Sequence, residues 1–402
     1  METFRDTIET TSRVCAQLLN YSTGGNCLMN DPMEIFSRQL RRLRQEAGLT
    51  QRELGDRLAY SPKAISKWES GRALPPSHLM VALAQALHTD MNTLFDCREE
   101  PRFYLGVDGG GTKTDFALAD ERGRLLHRLI KGSCNPTAQG VEKALELLES
   151  GITEIAGTIP PEQISVFVGM AGGSGEPGRV LTERLRRLGY ARVQAGGDYL
   201  NAVAAGLRDK DGLVVIMGTG SSVFSVRNGE IRRFGGYGYL FGDEGGGYAV
   251  GRDGVRAALA AEDGSGPKTA ITTLWQLENG RSVLEHLPEL YRLGRVHIAD
   301  LARLVVRAAE QGDRVAMQIL DDNMAALVQY IRPALAEHTA TSVPVVLVGG
   351  FVTAANALLR PLLEEHLADD RAQFRLLERR PVWGALRMAG MPESETEDND
   401  DA

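Results

Sequence analysis

The chain has 402 residues, 43% apolar and 24% charged, with 45 Lys/Arg against 53 Asp/Glu and a net charge of −8. That length allows about two to four domains, the composition is that of an ordinary soluble globular protein, and the acidity argues against a chain coated in nucleic acid. No run approaches ~18 uninterrupted apolar residues, so neither a membrane span nor a membrane partner is expected. Val14–Leu19 is too short for a signal peptide and follows no basic flank. Cys15, Cys27, Cys97 and Cys134 are too widely spaced for a disulfide framework or a zinc site. These exclusions point to the cytoplasm.

In chain order, residues 1–32 carry no clear periodicity and include the Thr23–Asn26 stretch TGGN, so a disordered extension is expected. Ordered patterning begins at Met33, which raises the possibility of a natural start at Met29 or Met33. From Met33 to Arg98 there are ten Lys/Arg against seven Asp/Glu, a basic segment on an otherwise acidic chain. Ile35, Phe36, Leu40, Leu43 and Ala47 have helical spacing that ends at Gly48. Thr50, with Glu53 three residues on, predicts a capping box opening a short helix with Leu54 and Leu58 inward. Ser61-Pro62 opens another, with Ile65 and Trp68 inward and Gly71 at its end. A fourth helix follows Pro76, using Leu79, Leu83, Ala86 and Leu87, and a last one covers Met91–Phe95.

This run of short helices, centred on LTQRELGDRLAYSPKAISKWESGRALP, resembles the Xre/Cro-type helix-turn-helix family over Glu34–Phe95. The resemblance implies an all-α DNA-binding domain at 33–96 whose third helix enters the major groove. Carried over, Ser61, Lys63, Ala64 and Lys67 face bases or nearby backbone, Gln51 abuts a phosphate, and the partner is operator DNA. An orphan module that binds protein is the alternative, and the basic outer face of the third helix favours DNA.

After a polar linker at 97–101 the pattern becomes α/β. The stretch Leu105–Leu118, LGVDGGGTKTDFAL, predicts two strands joined by a glycine tip. Glycines permit close approach of an anion to a row of N–H groups. Thr112 and Thr114 would add hydroxyl donors, Lys113 positive charge, and Asp108 could hold a hydrated magnesium ion. An ordinary tight turn would read the same. A helix at Val141–Ile155, a buried strand at Ile164–Met170 and a helix at Gly178–Leu188 follow, then a strand at Arg192–Ala195 leading into Asp198. Asp211–Ile231, DGLVVIMGTGSSVFSVRNGEI, echoes the first hairpin, which implies two similar halves, 102–210 and 211–390, around a nucleotide. A third glycine turn, Gly349-Gly350, follows the strand Val343–Val348 and suits the adenosine end. The tail 391–402 holds six acids and no base and is expected to be disordered.

DGGGTKT, the SCNP around Asn135, MAGGSGEPGR, GGDYLNAVAAG, IMGTGSS, GGYGYLFGDEGGGYAVGRDG and VGGF occur in an order that resembles the N-acetylglucosamine kinases of the BadF/BadG/BcrA/BcrD-type ATPases. That group lies within the acetate and sugar kinase/heat-shock-protein/actin superfamily. The resemblance implies two ribonuclease H-like halves and a reaction using ATP and Mg2+. Gly110, Gly111, Thr112, Lys113, Gly218, Thr219, Gly220, Ser221, Gly349 and Gly350 would bind the nucleotide. Asp198 would be the base that takes the proton of the sugar's 6-hydroxyl, though an Asp there could instead only cap the helix Tyr199–Leu207. Asn135, Asp198, Tyr237, Gly238 and Asp243 would bind the amino sugar, N-acetylglucosamine or a close relative, with Glu244 in support. Tyr237 stands where relatives carry Trp, and Gly246 departs from a Ser in some of them. Asn135 and Asp243 are also compatible with ordinary turn residues. An activator of dehydratases would need cluster-ligating cysteines, and the ROK (repressor/kinase) family a cysteine-rich zinc motif; this chain has neither. Two functions stay open: a homodimeric sugar-responsive regulator with an active kinase domain, or a kinase-like sensor with negligible turnover.

Overall fold

The computed structural model describes residues 32–95 and 101–392, and its contacts divide the chain into two compact units, Met1–Glu100 and Pro101–Ala402. The extension expected at 1–32 (Pro32 apart), the linker at 97–101 up to residue 100, and the acidic tail from residue 393 lie outside the described residues.

The first unit holds α1 (Pro32–Glu46), α2 (Gln51–Leu58), α3 (Pro62–Glu69), α4 (Met80–Ala86) and α5 (Met91–Leu94). The capping box that opens α2 and the N-cap that opens α3 are local chemistry. The Glu53 N–H donates to Thr50 Oγ1 and the Thr50 N–H donates to Glu53 Oε2, at 3.2 and 2.7 Å. Ser61 Oγ accepts from the Ala64 N–H at 3.2 Å, starting α3 one residue before Pro62. Phe36, Leu40, Leu54, Ile65, Leu83 and Leu94 are fully enclosed, with Trp68 against them. Ala84, rather than the expected Ala86, is the buried alanine of α4, because a 3-10 turn at Ser77–Leu79 shifts the helix phase. Arg44 of α1 donates Nε to Glu69 Oε1 at 2.5 Å, Nη2 to Oε2 at 3.1 Å and Nη1 to the Leu49 carbonyl at 2.6 Å. This ion pair is nearly enclosed, so its geometry counts for more than that of a surface pair.

The second unit is built on two five-stranded sheets. The first has the order β3-β2-β1-β4-β5, with β1 (Phe103–Gly109), β2 (Lys113–Asp120), β3 (Leu125–Gly132), β4 (Ile164–Met170) and β5 (Arg192–Gly196). The second has β10-β9-β6-β7-β8, with β6 (Gly212–Met217), β7 (Ser221–Arg227), β8 (Glu230–Phe234), β9 (Val343–Val348) and β10 (Ala372–Leu376). In each, an antiparallel hairpin continues into parallel strands, so the second sheet repeats the first in order and direction. β4 is buried at every residue, as a strand covered on both faces must be.

Two α-helices, α6 (Pro136–Gln139) and α7 (Val141–Ala156), precede β4, and α8 (Glu176–Arg187) follows it. Then α9 (Tyr199–Gly206) leads from β5 into the second sheet. A helical insertion comprises α10 (Gly247–Asp263), α11 (Ala270–Asn279), α12 (Val283–Asp300) and α13 (Ala302–Glu310), after which α14 (Arg314–Ala336), α15 (Gly350–Leu367) and α16 (Pro381–Met388) complete the chain. Ala202 and Val203 of α9 pack on Val214, Phe224 and Val346 of the second sheet. Val382, Trp383 and Leu386 of α16 pack on Ala117 and Ala119 of the first. The C-terminal helix therefore belongs to the first sheet's core although it follows the second in sequence, and the halves are not consecutive blocks of chain. The two helices cross at Gly384, where a Cβ would lie 1.9 Å from the Asn201 carbonyl, and α16 meets β1 at Gly106, where a Cβ would lie 2.5 Å from the Leu386 nitrogen.

Gly384→Ala must push these helices apart. The expected loss is about 1–3 kcal/mol of stability by overpacking, read by urea denaturation of the whole chain; an unchanged midpoint would show that the crossing is not tight.

Candidate active site

At the first hairpin, β1 and β2 pair through Gly109 and Thr114, and the Gly110 N–H donates to the Lys113 carbonyl at 3.0 Å. A Cβ on Gly109 would strike Cys134 Sγ at 2.5 Å, whereas one on Gly111 would meet nothing within 4 Å. Gly109 is thus a packing glycine, and Gly111 faces open space beside the exposed Thr112 and Lys113. Thr114 does not join them. It is fully buried and donates its hydroxyl to the Gly132 carbonyl at 2.8 Å, because it sits inside the strand pair rather than on the tip. The expectation of a second hydroxyl donor at the tip is corrected accordingly.

Asp108, at the base of the hairpin, receives a hydrogen bond from Asn201 Nδ2 at 2.8 Å. The same amide nitrogen reaches the Val107 and Gly169 carbonyls at 3.2 and 3.4 Å. A Cβ on Gly169 would fall 2.2 Å from Asn201 Oδ1, so β4 has room for the amide only because that residue is glycine. Burial pushes the Asp108 carboxyl up to about 6; the Asn201 hydrogen bond opposes this, and the charges of Asp198 and Asp115 add to it. Asp198 begins α9, with its carboxylate accepting from the Tyr199 N–H at 3.0 Å, so the capping reading of this residue holds. Its surface is open to solvent, yet the protein around the carboxyl strips enough hydration to raise its pKa, opposed by the Tyr199 N–H. The charge of Asp198 thus reaches Asp108, and burial makes both carboxyls resist ionisation. Tyr199 stacks on Phe224 of β7, 4.4 Å between ring centres and 7° between planes, which ties the turn bearing Asp198 to the second sheet.

The second hairpin repeats the division between packing and open glycines. A Cβ on Gly218 or Gly350 would meet nothing, whereas one on Gly220 would strike Asp243 Oδ2 at 2.4 Å and one on Gly349 the Met217 carbonyl at 2.4 Å. Gly349 also has φ +124, which no other residue adopts comfortably, and this brings the third glycine turn onto the end of β6. The Gly247 and Tyr248 N–H groups at the start of α10 donate to the Gly218 and Thr219 carbonyls, both at 2.8 Å. Ser221 is buried and gives its hydroxyl to the Glu244 carbonyl at 2.6 Å, so only its main chain is left to face a ligand.

Of the expected sugar residues, Asp243 is buried against Gly220, with a pKa raised by burial and held back by the positive charge of Arg295. The following turn is fixed from behind: Asn323 Oδ1 accepts from the Gly245 N–H at 3.3 Å. Gly246 could not carry the Ser of some relatives without movement, since its Cβ would lie 2.5 Å from the Gly220 backbone. Tyr237 and Gly238 form the neck of a tight loop closed by the Tyr237 N–H to Gly242 carbonyl bond at 3.1 Å, and Tyr237 is 59% exposed with its ring edge-on to Tyr330. Asn135 lies near the first hairpin, its N–H donating to Ser133 Oγ at 3.1 Å. The expected residues thus form two clusters, Asp108, Lys113, Asn135 and Asp198 on the first sheet and Gly218–Ser221, Tyr237, Asp243 and Gly349 on the second. Asn201 and Asn323 were not singled out from sequence. The spacing of Asn201, three residues after Asp198 on one helix face, was the available signal.

In the helix-turn-helix unit Ser61, Lys63 and Lys67 are exposed along α3 and Ala64 is half-buried. Gln51 donates Nε2 to Glu69 Oε2 at 2.8 Å, so part of its amide is held by the Arg44–Glu69 pair.

Two sheets of one strand order, each carrying a glycine hairpin, define an actin-like ATPase fold. A family model described as the BadF/BadG/BcrA/BcrD ATPase family matches residues 105–389, and one described as a helix-turn-helix domain matches residues 35–94. The N-acetylmuramic acid/N-acetylglucosamine kinase of Clostridium acetobutylicum is 31% identical over 234 residues, 55% of this chain and 75% of that protein. The N-acetyl-D-glucosamine kinase of Dictyostelium discoideum is 28% identical over 310 residues, 71% and 97% of the two chains. In fold, a candidate N-acetylglucosamine kinase from Chromobacterium violaceum superposes with a TM-score of 0.59 at 23% identity, covering 72% of this chain and 99% of its own. A ROK family transcriptional regulator does so with a TM-score of 0.52 at 14% identity over 89% of this chain and 96% of its own. The chain belongs to the BadF/BadG/BcrA/BcrD ATPase family, resembles its N-acetylglucosamine kinases, and carries a helix-turn-helix domain ahead of the ATPase domain.

The residues fit MgATP. Open space over Gly111, Gly218 and Gly350 leaves main chain for phosphate and adenosine to approach. Among the described residues no group of three or more His, Cys, Asp or Glu could hold a metal, but magnesium bound through water and phosphate needs only one or two carboxylates. No helix among the described residues is long and apolar enough to cross a membrane.

Asp108 also sets a pH dependence. Its folded pKa of about 6 lies above the ordinary 3.8, so its contribution to stability is fully present below pH 3.8 and is lost as pH rises through 6. At neutral pH Asp108→Asn should stabilise the ligand-free protein by up to about 3 kcal/mol and flatten its stability profile over that window. Denaturation at pH 4.5 and 7.5 measures this, and parallel profiles for the two proteins would refute it.

Proposed function

We propose that the chain phosphorylates the 6-hydroxyl of N-acetylglucosamine or a close relative with ATP, and that its helix-turn-helix domain makes it a sugar-responsive transcriptional regulator. The observation that carries the kinase reading is the pairing of two open glycine hairpins with an Asp108–Asp198 carboxyl pair. Phosphoryl transfer needs positioning, charge neutralisation and a base more than covalent catalysis. Gly110, Gly111, Thr112 and Lys113 would hold phosphates from one side, Gly218, Thr219, Gly220 and the Ser221 main chain from the other, and Gly349-Gly350 the adenosine. Asp108 would carry a hydrated magnesium ion, which neutralises phosphate charge.

Asp198 is the base in this proposal. The sugar's 6-oxygen attacks the γ-phosphorus, its proton passes to the Asp198 carboxylate, and the bond to the bridging oxygen breaks to release ADP. A carboxyl with raised pKa is better suited to that proton than an ordinary surface Asp. Asn135, Tyr237, Gly238 and Asp243 would hold the sugar, with the exposed Tyr237 ring offering a flat face.

Asp198→Asn is expected to lower kcat by about 10²–10⁴-fold while calorimetry still detects sugar binding. If the unaltered protein binds N-acetylglucosamine but turns over none with MgATP, the sensor reading replaces the kinase reading.

For DNA, a homodimer would place two α3 helices on half-sites about 34–36 Å apart. Sugar and operator must then affect each other's binding equally. The exposed lysines of α3 support this partner. Replacing Lys63 and Lys67 together by Ala should reduce the salt dependence of operator binding by about two units of slope. Titrations at several salt concentrations would show it, and an unaltered slope would move the DNA face elsewhere.

A further inference from the structure

The motif around Asp243 runs on into GYAVGRDG, and no step of the proposed reaction uses its Arg252 or Asp253. Asp253 lies on α10, and its carboxylate is gripped by its neighbour. Arg252 donates Nε to Oδ1 at 2.9 Å and Nη2 to Oδ2 at 3.1 Å. Arg256 brings a second guanidinium to 3.7 Å from Oδ1. From α14, the buried Asn323 donates Nδ2 to Asp253 Oδ2 at 3.1 Å and to the Ile319 carbonyl at 3.0 Å. What remains of that amide is Oδ1, and it accepts from the Gly245 N–H at 3.3 Å.

Hydrogen-bond chemistry allows this amide one orientation. A carboxylate and a carbonyl only accept, and a backbone N–H only donates. Turned over, the amide would set Oδ1 against two acceptors and its NH2 against a donor. Asp253 therefore decides that Oδ1 faces Gly245. The turn itself has little freedom to settle elsewhere. Gly245 has φ +78, and a Cβ on it would lie 2.9 Å from Leu327, one helical turn beyond Asn323 on α14. On the opposite side the Ser221 hydroxyl holds the Glu244 carbonyl, and Gly220 abuts the Asp243 carboxylate. The segment Asp243–Gly245 is thus clamped between the second hairpin and α14.

We propose that Asn323, oriented by Asp253, is a positioning residue for the sugar. It touches no substrate; it fixes the backbone that carries Asp243 and so sets the affinity for the sugar. The inference rests on the reading of Asp243 as a sugar ligand. A tie that serves folding alone is the competing account, and the two differ in what the variants change.

Binding of N-acetylglucosamine is measured by calorimetry, and initial rates are measured with MgATP. The proteins are the unaltered chain, Asn323→Ala, Asn323→Asp, Asp253→Asn and the exchange that joins the last two. Urea denaturation checks each fold. Asn323→Ala should raise the Kd and KM for the sugar about tenfold, the worth of one hydrogen bond. Meanwhile kcat and the KM for MgATP should stay within about threefold, as for a loss of ground-state binding. Asn323→Asp keeps an acceptor for Gly245 but sets two carboxylates together, and should weaken the sugar at least as much. In the exchange, an amide at 253 can again donate to the carboxylate at 323. It should bind the sugar at least about threefold tighter than Asn323→Asp, a gain that Asp253→Asn alone does not give.

Unchanged sugar affinity in a folded Asn323→Ala overturns the inference, as does an equal loss for sugar and MgATP. If Asn323→Ala does not fold, equal sugar affinity of Asn323→Asp and the exchange overturns it. Turnover with an unchanged KM in Asn323→Ala sinks the inference and leaves the kinase reading standing. Sugar binding without turnover in the unaltered chain removes the kinase reading, while the affinities still decide the role of Asn323. An unaltered chain that binds no N-acetylglucosamine overturns the sugar reading and this inference with it.

Discussion

The joining of α9 to the first sheet depends on one buried side-chain amide. Asn201 is wholly enclosed, and its Nδ2 serves the Val107 and Gly169 carbonyls and the Asp108 carboxyl at once. A buried polar group without partners costs about 1–3 kcal/mol, so the Nδ2 favours docking of α9 where those acceptors lie, at the ends of β1 and β4, while the Oδ1 of the same amide has no partner among the described residues. The same helix starts with Asp198. The two carboxyls are therefore set against each other by the docking of one short helix rather than by the loops around them.

Close docking of that kind needs backbones without side chains between them. Gly169 makes room for the amide, Gly384 lets α16 cross over the Asn201 carbonyl, and Gly106 lets α16 rest on β1. The glycines of the hairpins divide along the same line. Gly109, Gly220 and Gly349 are required by neighbours already present, while Gly111, Gly218 and Gly350 border empty space. A glycine-rich motif thus mixes positions that the fold requires with positions that it leaves open. In the first unit, Glu69 has a comparable part: it is held by Arg44 from α1 and by Gln51 from α2, fixing α3 with its exposed lysines on the other side.

Local chemistry made much of this legible in advance. The capping box at Thr50, the Ser61-Pro62 start, the enclosed strand at Ile164–Met170 and the repeat of one hairpin by another all depend on neighbours a few residues apart. Thr114 and Ser221 show where such reading stops. Both look like hydroxyl donors in a phosphate loop, and both face inward to the Gly132 and Glu244 carbonyls, because strand pleat and the path of a distant turn decide their direction.

The amino-acid order alone determined the two kinds of module and the doubled hairpin, since periodicity, caps and glycine spacing are properties of adjacent residues. Only the tertiary structure decided that the C-terminal helix returns to the first sheet, that Asn201 governs Asp108, and that Asn323 holds the turn after Asp243. Those contacts join residues far apart in the chain. They exist because buried polar groups must find partners and because certain glycines allow the backbones carrying them to meet.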